Sequence, residues 1–161
     1  MRRIGLLVAF MLPSAFGPPG RPRFRLAAVG PAALASGYVE LAPARSPFGL
    51  AVTKDGHIAY DLAITVHNLP APWTLGAFSS YHAWLSTPNL DVVEHLGVVV
   101  NDSVLRAQAD WNKFTIVVTA EPAATSTKHW KGAIVLVGRS PSSLMQSFVG
   151  HPFYNTGMPP D

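Results

Sequence analysis

The stretch FTIVVTAEP, residues 114–122, must be a membrane segment, a catalytic strand or structural scaffold. Its apolar run, Ile116 to Val118, has strand length and is far shorter than the roughly 20 residues of a membrane-spanning helix. A continuous apolar run of this kind predicts a strand that is covered on both faces. Pro122 cannot donate a hydrogen bond to a sheet and should end the strand. We therefore expect Glu121 to accept backbone N–H groups of the following loop rather than to act as an acid or base.

Short runs of β-branched and aromatic residues recur from Tyr38 to Gly138, and no long segment has helical periodicity. Turn-forming pairs separate them, including Asp55-Gly56, which is typical of a hairpin, and Asn101-Asp102. Since no crossover helices lie between the runs, the pattern predicts an all-β fold, an immunoglobulin-like antiparallel β-sandwich. The predicted strands are residues 38–42, 48–54, 58–66, 80–86, 93–100, 103–109, 113–121 and 133–138.

The N-terminal region has the layout of a secretory leader. Two arginines precede the apolar run 4–12, which is too short to span a bilayer. Small residues mark two cleavage sites, one before Pro18 and one before Ser36. We assign residues 1–35 to a signal peptide or leader, 36–139 to the β-sandwich domain and 140–161 to a short irregular or helical C-terminal tail. The alternatives are an uncleaved leader giving peripheral membrane association and a disordered N-terminal tail.

The composition indicates one folded domain in an oxidising compartment. Of 161 residues, 48% are hydrophobic and 13% charged, which is enough apolar surface for a core and too little charge for a disordered chain. After residue 36 the chain has seven basic residues against nine acidic ones, so no nucleic-acid partner is expected. The absence of cysteine excludes disulfides, thiolate metal sites and a cysteine nucleophile, and it suits a periplasmic or secreted protein.

Three stretches, taken in order, resemble the extracytoplasmic C-terminal domain of anti-sigma-K-type factors. They are YHAWL at 81–85, VTAEP at 118–122 and GAIVLVG at 132–138, within a region of similarity over residues 58–138. The resemblance implies a β-sandwich. Those regulators carry a sigma-binding or zinc-binding region and a full transmembrane helix ahead of the sandwich, and neither is recognisable in this chain. The resemblance therefore implies a free-standing exported module of the same shape and not sigma-factor inhibition.

No sequence motif indicates catalysis. The chain lacks the G-x-S-x-G nucleophile elbow, a zincin motif and a phosphate-binding loop. Asp91 and Glu94 are close in sequence, but their predicted positions in a turn and at a strand edge do not make a carboxylate pair. We expect no enzymatic activity, no catalytic residue and no cofactor.

Histidine supports a second hypothesis, a periplasmic copper-binding protein. Of the six histidines, His82 and His95 lie on predicted strands and could meet across a sheet. Imidazole and thioether groups suit copper, and Met145 and Met158 supply the latter. No two histidines have a spacing such as H-x-H or H-x3-H, so a site formed by His82 and His95 would depend entirely on strand pairing.

Aromatic residues outside the predicted strands indicate a protein-contact surface. Trp84 lies within an apolar strand and is expected in the core, whereas Trp73 and Trp130 lie in loops beside proline or lysine. Packing beneath a long loop is the alternative for these two. The predicted protein contacts are Trp73, Phe78 and Trp130 with Phe153 and Tyr154 of the tail, and the predicted partner is another cell-envelope protein.

Overall fold

The structure is a computed structural model that describes residues 21–47, 49–54, 56, 58–123 and 128–141. The predicted tail therefore lies outside the described residues, apart from Ser140 and Pro141. The described chain contains ten β-strands and one short 3-10 helix. The strands are β1 (Arg23–Ala28), β2 (Ser36–Pro43), β3 (Arg45–Ser46), β4 (Gly49–Leu50), β5 (Tyr60–His67), β6 (Ser80–Ser86), β7 (Val93–Val99), β8 (Val104–Ala109), β9 (Thr115–Glu121) and β10 (Ala133–Arg139), and the helix is η1 (Pro72–Thr74).

Eight of the strands form one antiparallel sheet in the order β7-β6-β9-β10-β1-β2-β5-β8. The two end strands, β7 and β8, follow each other in the chain and contact each other, so the sheet curves until it nearly closes on itself. The remaining pair, β3 and β4, forms a separate two-stranded sheet. The expected all-β class is confirmed. Among the described residues, no helix is long and apolar enough to cross a membrane.

Strand β1 joins the two halves of the large sheet, which are β7-β6-β9-β10 on one side and β2-β5-β8 on the other. Its first part, residues 23–26, pairs with β2, and Ala27 and Ala28 pair with β10. The side chain of Leu26 is fully buried between the halves. This stretch therefore belongs to the folded domain, contrary to its expected place in a leader of residues 1–35. Cleavage before Ser36 would remove β1 from the sheet, whereas cleavage before Pro18 would leave it in place.

The inner faces of both halves share one hydrophobic core. Alternate residues of each strand point into it, as the burial of Val39 and Leu41 in β2 and of Leu62, Ile64 and Val66 in β5 illustrates. This order does not by itself establish the immunoglobulin-like sandwich. In the described structure β5 is the next strand of the large sheet after β2, and it lies directly beside β2. In immunoglobulin domains the third strand belongs instead to the sheet opposite the second strand.

Strand β9 is buried along its whole length. All seven residues from Thr115 to Glu121 are buried, which confirms the prediction made from the apolar run. The inner face of β9 belongs to the common core through Ile116 and Val118. On the outer face Val117 is the cross-strand partner of Trp84 in β6, and this face is covered by a second group of side chains.

The remaining strand predictions are close to the observed bounds, with one exception. Residues 48–54 were expected to form one strand, but in the structure only Gly49–Leu50 pairs with β3, and Val52 forms an isolated bridge with Ile58. Phe48, Asp55 and His57 lie outside the described residues.

Candidate functional site

The loop between β5 and β6 displays an exposed tryptophan. Helix η1 has a proline at its first position, which fixes the backbone angle there, and the Thr74 hydroxyl donates to the Ala71 carbonyl oxygen at 2.7 Å. Trp73 is 72% exposed on this turn. The prediction that Trp73 lies at the surface is confirmed.

Polar contacts attach this loop to the sheet. The Tyr81 hydroxyl donates to the Pro70 carbonyl oxygen at 2.8 Å, and burial raises the pKa of Tyr81, so the hydroxyl keeps its proton. The Asn101 amide closes the other side, because it accepts from the Leu69 N–H at 2.9 Å and donates to the Leu69 carbonyl oxygen at 2.8 Å. The Trp73 turn therefore follows a backbone segment that is fixed at both Leu69 and Pro70.

A groove of about 520 Å³ runs between this loop and the end of β7. We call it the proline groove, with Leu69–Pro72 as one wall and Val98–Asn101 as the other. Val98 and Val100 are 53% and 59% exposed. Sequence alone does not identify these two valines as surface residues, because alternating valines in a strand resemble core residues until the covered face is known.

The other predicted contact residues are placed differently. Phe78 is half-buried and packs against the core, so it contributes little free surface. Trp130 is also half-buried and lies edge-on against the Trp84 ring, with centroids 6.1 Å apart. Its expected role as an exposed loop tryptophan is corrected, since it helps to cover the outer face of the sheet. Phe153 and Tyr154 lie outside the described residues.

A second group of side chains lies on the outer face of β6, β7 and β9, and we call it the histidine–tryptophan cluster. It consists of His82, Trp84, His95, Thr119, Glu121 and Trp130. The His82 Nδ1 and His95 Nε2 atoms are 2.8 Å apart, and His82 Nε2 lies 2.9 Å from the Ser80 hydroxyl oxygen. The Trp84 ring lies 4.8 Å from the His95 ring between centroids.

A β-bulge brings His95 to this face. His82 pairs with Val98 while Trp84 pairs with His95, so β7 carries one extra residue between these two pairs. Gly97 takes a φ of 141° there, a conformation that favours glycine. Without the extra residue, each side chain on the N-terminal side of the bulge in β7 would point to the face opposite its present one. His95 would then point into the core.

The histidine pair can hold one positive charge in this arrangement. If both facing nitrogens carried a hydrogen, they would repel each other, so the second protonation must separate the rings. Burial lowers the pKa of His82 below its ordinary value of 6.5, and charge on His95 lowers it further. The negative Glu121 carboxylate acts in the other direction and raises the pKa. His82 therefore favours its neutral state near neutral pH.

Glu121 has a structural role. The Thr119 hydroxyl donates to its Oε1 atom at 2.5 Å and itself accepts from the Trp84 indole N–H at 2.8 Å. The backbone N–H groups of Lys131 and Gly132 donate to the same carboxyl group at 3.2 to 3.3 Å. The expectation that Glu121 accepts backbone donors of the following loop is confirmed.

The hypothesis that His82 and His95 meet across the sheet holds geometrically, but the pair has few additional donors. Among the described residues, no group of three or more His, Cys, Asp or Glu side chains could hold a metal ion. His67 contacts Asp102 at 2.5 Å elsewhere, and His129 is exposed. His57, His151, Met145 and Met158 lie outside the described part of the chain.

Comparison with known protein families, characterised proteins and solved structures gives no match for this chain.

Proposed function

We propose that this chain is an exported, non-enzymatic β-sandwich module that binds or stabilises another cell-envelope protein or assembly. The observation that carries the proposal is Trp73, a largely exposed tryptophan on a fixed turn next to the proline groove. Tryptophan is among the residues that supply most of the binding energy at protein interfaces. The contact surface comprises Trp73 with the exposed side chains of Val98 and Val100.

Rigidity supports a binding role for this surface. The hydrogen bonds from Tyr81 to Pro70 and between Asn101 and Leu69 hold the loop before any partner arrives. A surface that is already ordered loses less conformational entropy on association, which favours affinity. The exposed side chains of Trp73, Val98 and Val100 are thereby presented on a fixed framework instead of a mobile loop.

The fold and the compartment belong to the same proposal. The shared core between the two halves of the sheet supports a two-layer, immunoglobulin-like sandwich. The three stretches that resemble anti-sigma-K-type factors fall on β6, β9 and β10, which are neighbours in the sheet. The leader-like N-terminus and the lack of cysteine support a periplasmic or secreted location, with retention at the membrane by an uncleaved leader as the alternative.

The test is capture of a partner from envelope extracts by the purified protein, followed by measurement of its affinity. Trp73→Ala should weaken binding by at least about 2 kcal/mol, roughly 30-fold, without unfolding the domain. Leu50→Ala is the matched control, because Leu50 is also an exposed apolar side chain, at 55%, and lies on β4 away from the groove. Equal affinity of the Trp73→Ala and wild-type proteins for the partner would refute the proposed surface.

Copper binding is a second candidate, favoured by the 2.8 Å separation of the His82 and His95 ring nitrogens. Two imidazole nitrogens at about 2.0–2.1 Å from one metal ion are about 2.9 to 3.3 Å apart in square-planar or tetrahedral geometry, so the spacing suits an ion once both rings turn from each other toward it. The described residues supply no carboxylate, thiolate or further imidazole as a third ligand beside His82 and His95, so water would complete the coordination. Copper is preferred over zinc by the general order of divalent-metal affinities.

Titration with Cu(II), followed by calorimetry, separates the two candidates. A 1:1 complex that is lost in both His82→Ala and His95→Ala, and kept in His129→Ala, would establish the metal site. If copper binds equally well to all these variants, or not at all, the pair has a structural role only.

A further inference from the structure

The placement of β1 changes the charge distribution of the folded protein. With the arginines at 21, 23 and 25 in a leader, as expected from sequence, the domain would have no basic surface. In the structure Arg23 and Arg25 are part of the sheet, and all three arginines are exposed. From residue 21 onward the chain has ten basic residues against nine acidic ones. This part of the protein therefore has enough exposed positive charge to attract an anion.

The outer face of β1, β2 and β5 carries a row of polar side chains that we call the arginine face. It consists of Arg23, Arg25, Ser36, Tyr38 and His67. Arg25 and Tyr38 are direct cross-strand partners, as are Ser36 and His67. The alternation of buried and exposed residues, with Leu26 and Val39 in the core, points these side chains away from the protein interior.

Aromatic contacts order this face. The Arg23 guanidinium lies over the Tyr38 ring, 5.9 Å from its centroid, and the Tyr38 and His67 rings are 6.2 Å apart between centroids. His67 is in turn held by Asp102. The guanidinium of Arg23 therefore contacts an aromatic ring on one side, while the side chain as a whole stays exposed.

The two arginines of β1 have no carboxylate partner. Within the described residues neither Arg23 nor Arg25 forms a salt bridge, although Glu40 is the cross-strand partner of Arg23. Residues two apart on one face of a strand are only about 7 Å from each other, so the two positive charges repel. An anion bound between them would remove this repulsion.

The arginine face is also concave. A groove of about 460 Å³ is lined by the residues of this face together with Phe24 and Gly37. A cavity of this size falls within the range of small-molecule sites. Gly37 has to be glycine, since a Cβ there would lie 2.6 Å from the Thr65 carbonyl oxygen, so β2 and β5 approach closely beneath the groove.

We propose that this groove binds a phosphate-type oxyanion. The two guanidinium groups supply charge-assisted donors in the planar geometry that phosphate oxygens accept. The Ser36 hydroxyl adds a neutral donor, and the Tyr38 ring covers the apolar part of a phosphate ester. The site is separate from the proline groove and independent of the protein-binding proposal, since the two share no lining residue.

The test measures binding of inorganic phosphate to the full chain by calorimetry and binding to vesicles of phosphatidylglycerol and of phosphatidylcholine by co-sedimentation. Arg25→Gln removes one arginine of the site. Arg45→Gln is the matched control, because Arg45 is an exposed arginine on β3, in the separate two-stranded sheet, that does not line the groove, and it changes the net charge equally. Circular dichroism verifies that both variants are folded.

The expected result is that Arg25→Gln weakens binding by at least about tenfold while Arg45→Gln leaves it nearly unchanged. Loss of inorganic phosphate binding in Arg25→Gln identifies the free anion as a ligand. Loss confined to phosphatidylglycerol vesicles identifies a lipid headgroup. No binding of either probe, equal binding by Arg25→Gln and wild type, or equal weakening by the two substitutions would overturn the proposal, since the last is the behaviour of net charge alone.

Discussion

At the residue scale, Trp84 and Trp73 use the same side chain in opposite ways. Trp84 is 0% exposed between β9 and Trp130, and its indole N–H donates to the Thr119 hydroxyl. Trp73 lies on a turn and buries little surface. The strand pattern around one and the prolines around the other already indicated this difference, because both signals are local.

The first prediction compares these two residues. Trp84→Ala should lower the free energy of unfolding by about 3–5 kcal/mol, the usual cost of truncating a large core aromatic. Trp73→Ala should change it by less than about 0.5 kcal/mol, because that side chain is mostly in solvent. Denaturant unfolding followed by far-UV circular dichroism measures both. Similar losses for the two variants would mean that the described core is wrong.

The second prediction concerns pH and His82, with a chelator present to exclude metal effects. Because the pKa of His82 is lowered in the folded state, the unfolded chain binds more protons as pH falls below about 6.5. The contribution of neutral His82 to stability is therefore complete above pH 6.5 and is lost as pH falls through the folded-state pKa.

Measurement requires denaturation curves for wild type and His82→Gln at a series of pH values. The stability difference between them should shrink as pH is lowered below 6.5. His129→Gln, at an exposed site, serves as the control and should show no such trend. A difference that stays constant with pH would show that His82 titrates normally in the folded protein.

At the element scale, β1 is the strand that sequence reasoning did not find. A basic stretch followed by a weak apolar one is typical of a leader, and RFRLAA also alternates as a half-buried strand does. Only its position between β10 and β2 shows which of the two meanings applies. The charge and the alternation of residues 23–28 are the same whether the segment is part of a leader or a half-buried strand.

The third prediction follows from that position. A chain beginning at Ser36 should fail to fold, because removal of β1 leaves β2 and β10 unpaired and exposes the core beside Leu26. A chain beginning at Pro18 retains every strand and should unfold cooperatively. Thermal unfolding and dispersion of the amide NMR spectrum distinguish them. A cooperative transition in the shorter chain would show that β1 is dispensable.

At the scale of the whole molecule, the fold limits where an exported form of the chain could begin. The fourth prediction is that the exported protein begins near Pro18 and not at Ser36, since the sheet needs residues 23–28. Mass spectrometry of the protein isolated from its native envelope measures this N-terminus directly. Recovery of the intact Met1 species from the cytosol would contradict export, and an N-terminus at Ser36 would contradict the placement of β1.

The sequence by itself determined the all-β class, most strand positions, the two-sided burial of β9 and the exposure of Trp73. Each of these rests on periodicity and on proline or glycine within a few residues, so local sequence suffices. The order of the strands, the contact between His82 and His95 and the arginine face were decided by the tertiary structure. They depend on pairing between distant segments and on a single extra residue at the β7 bulge, which moves His95 from one face of the sheet to the other.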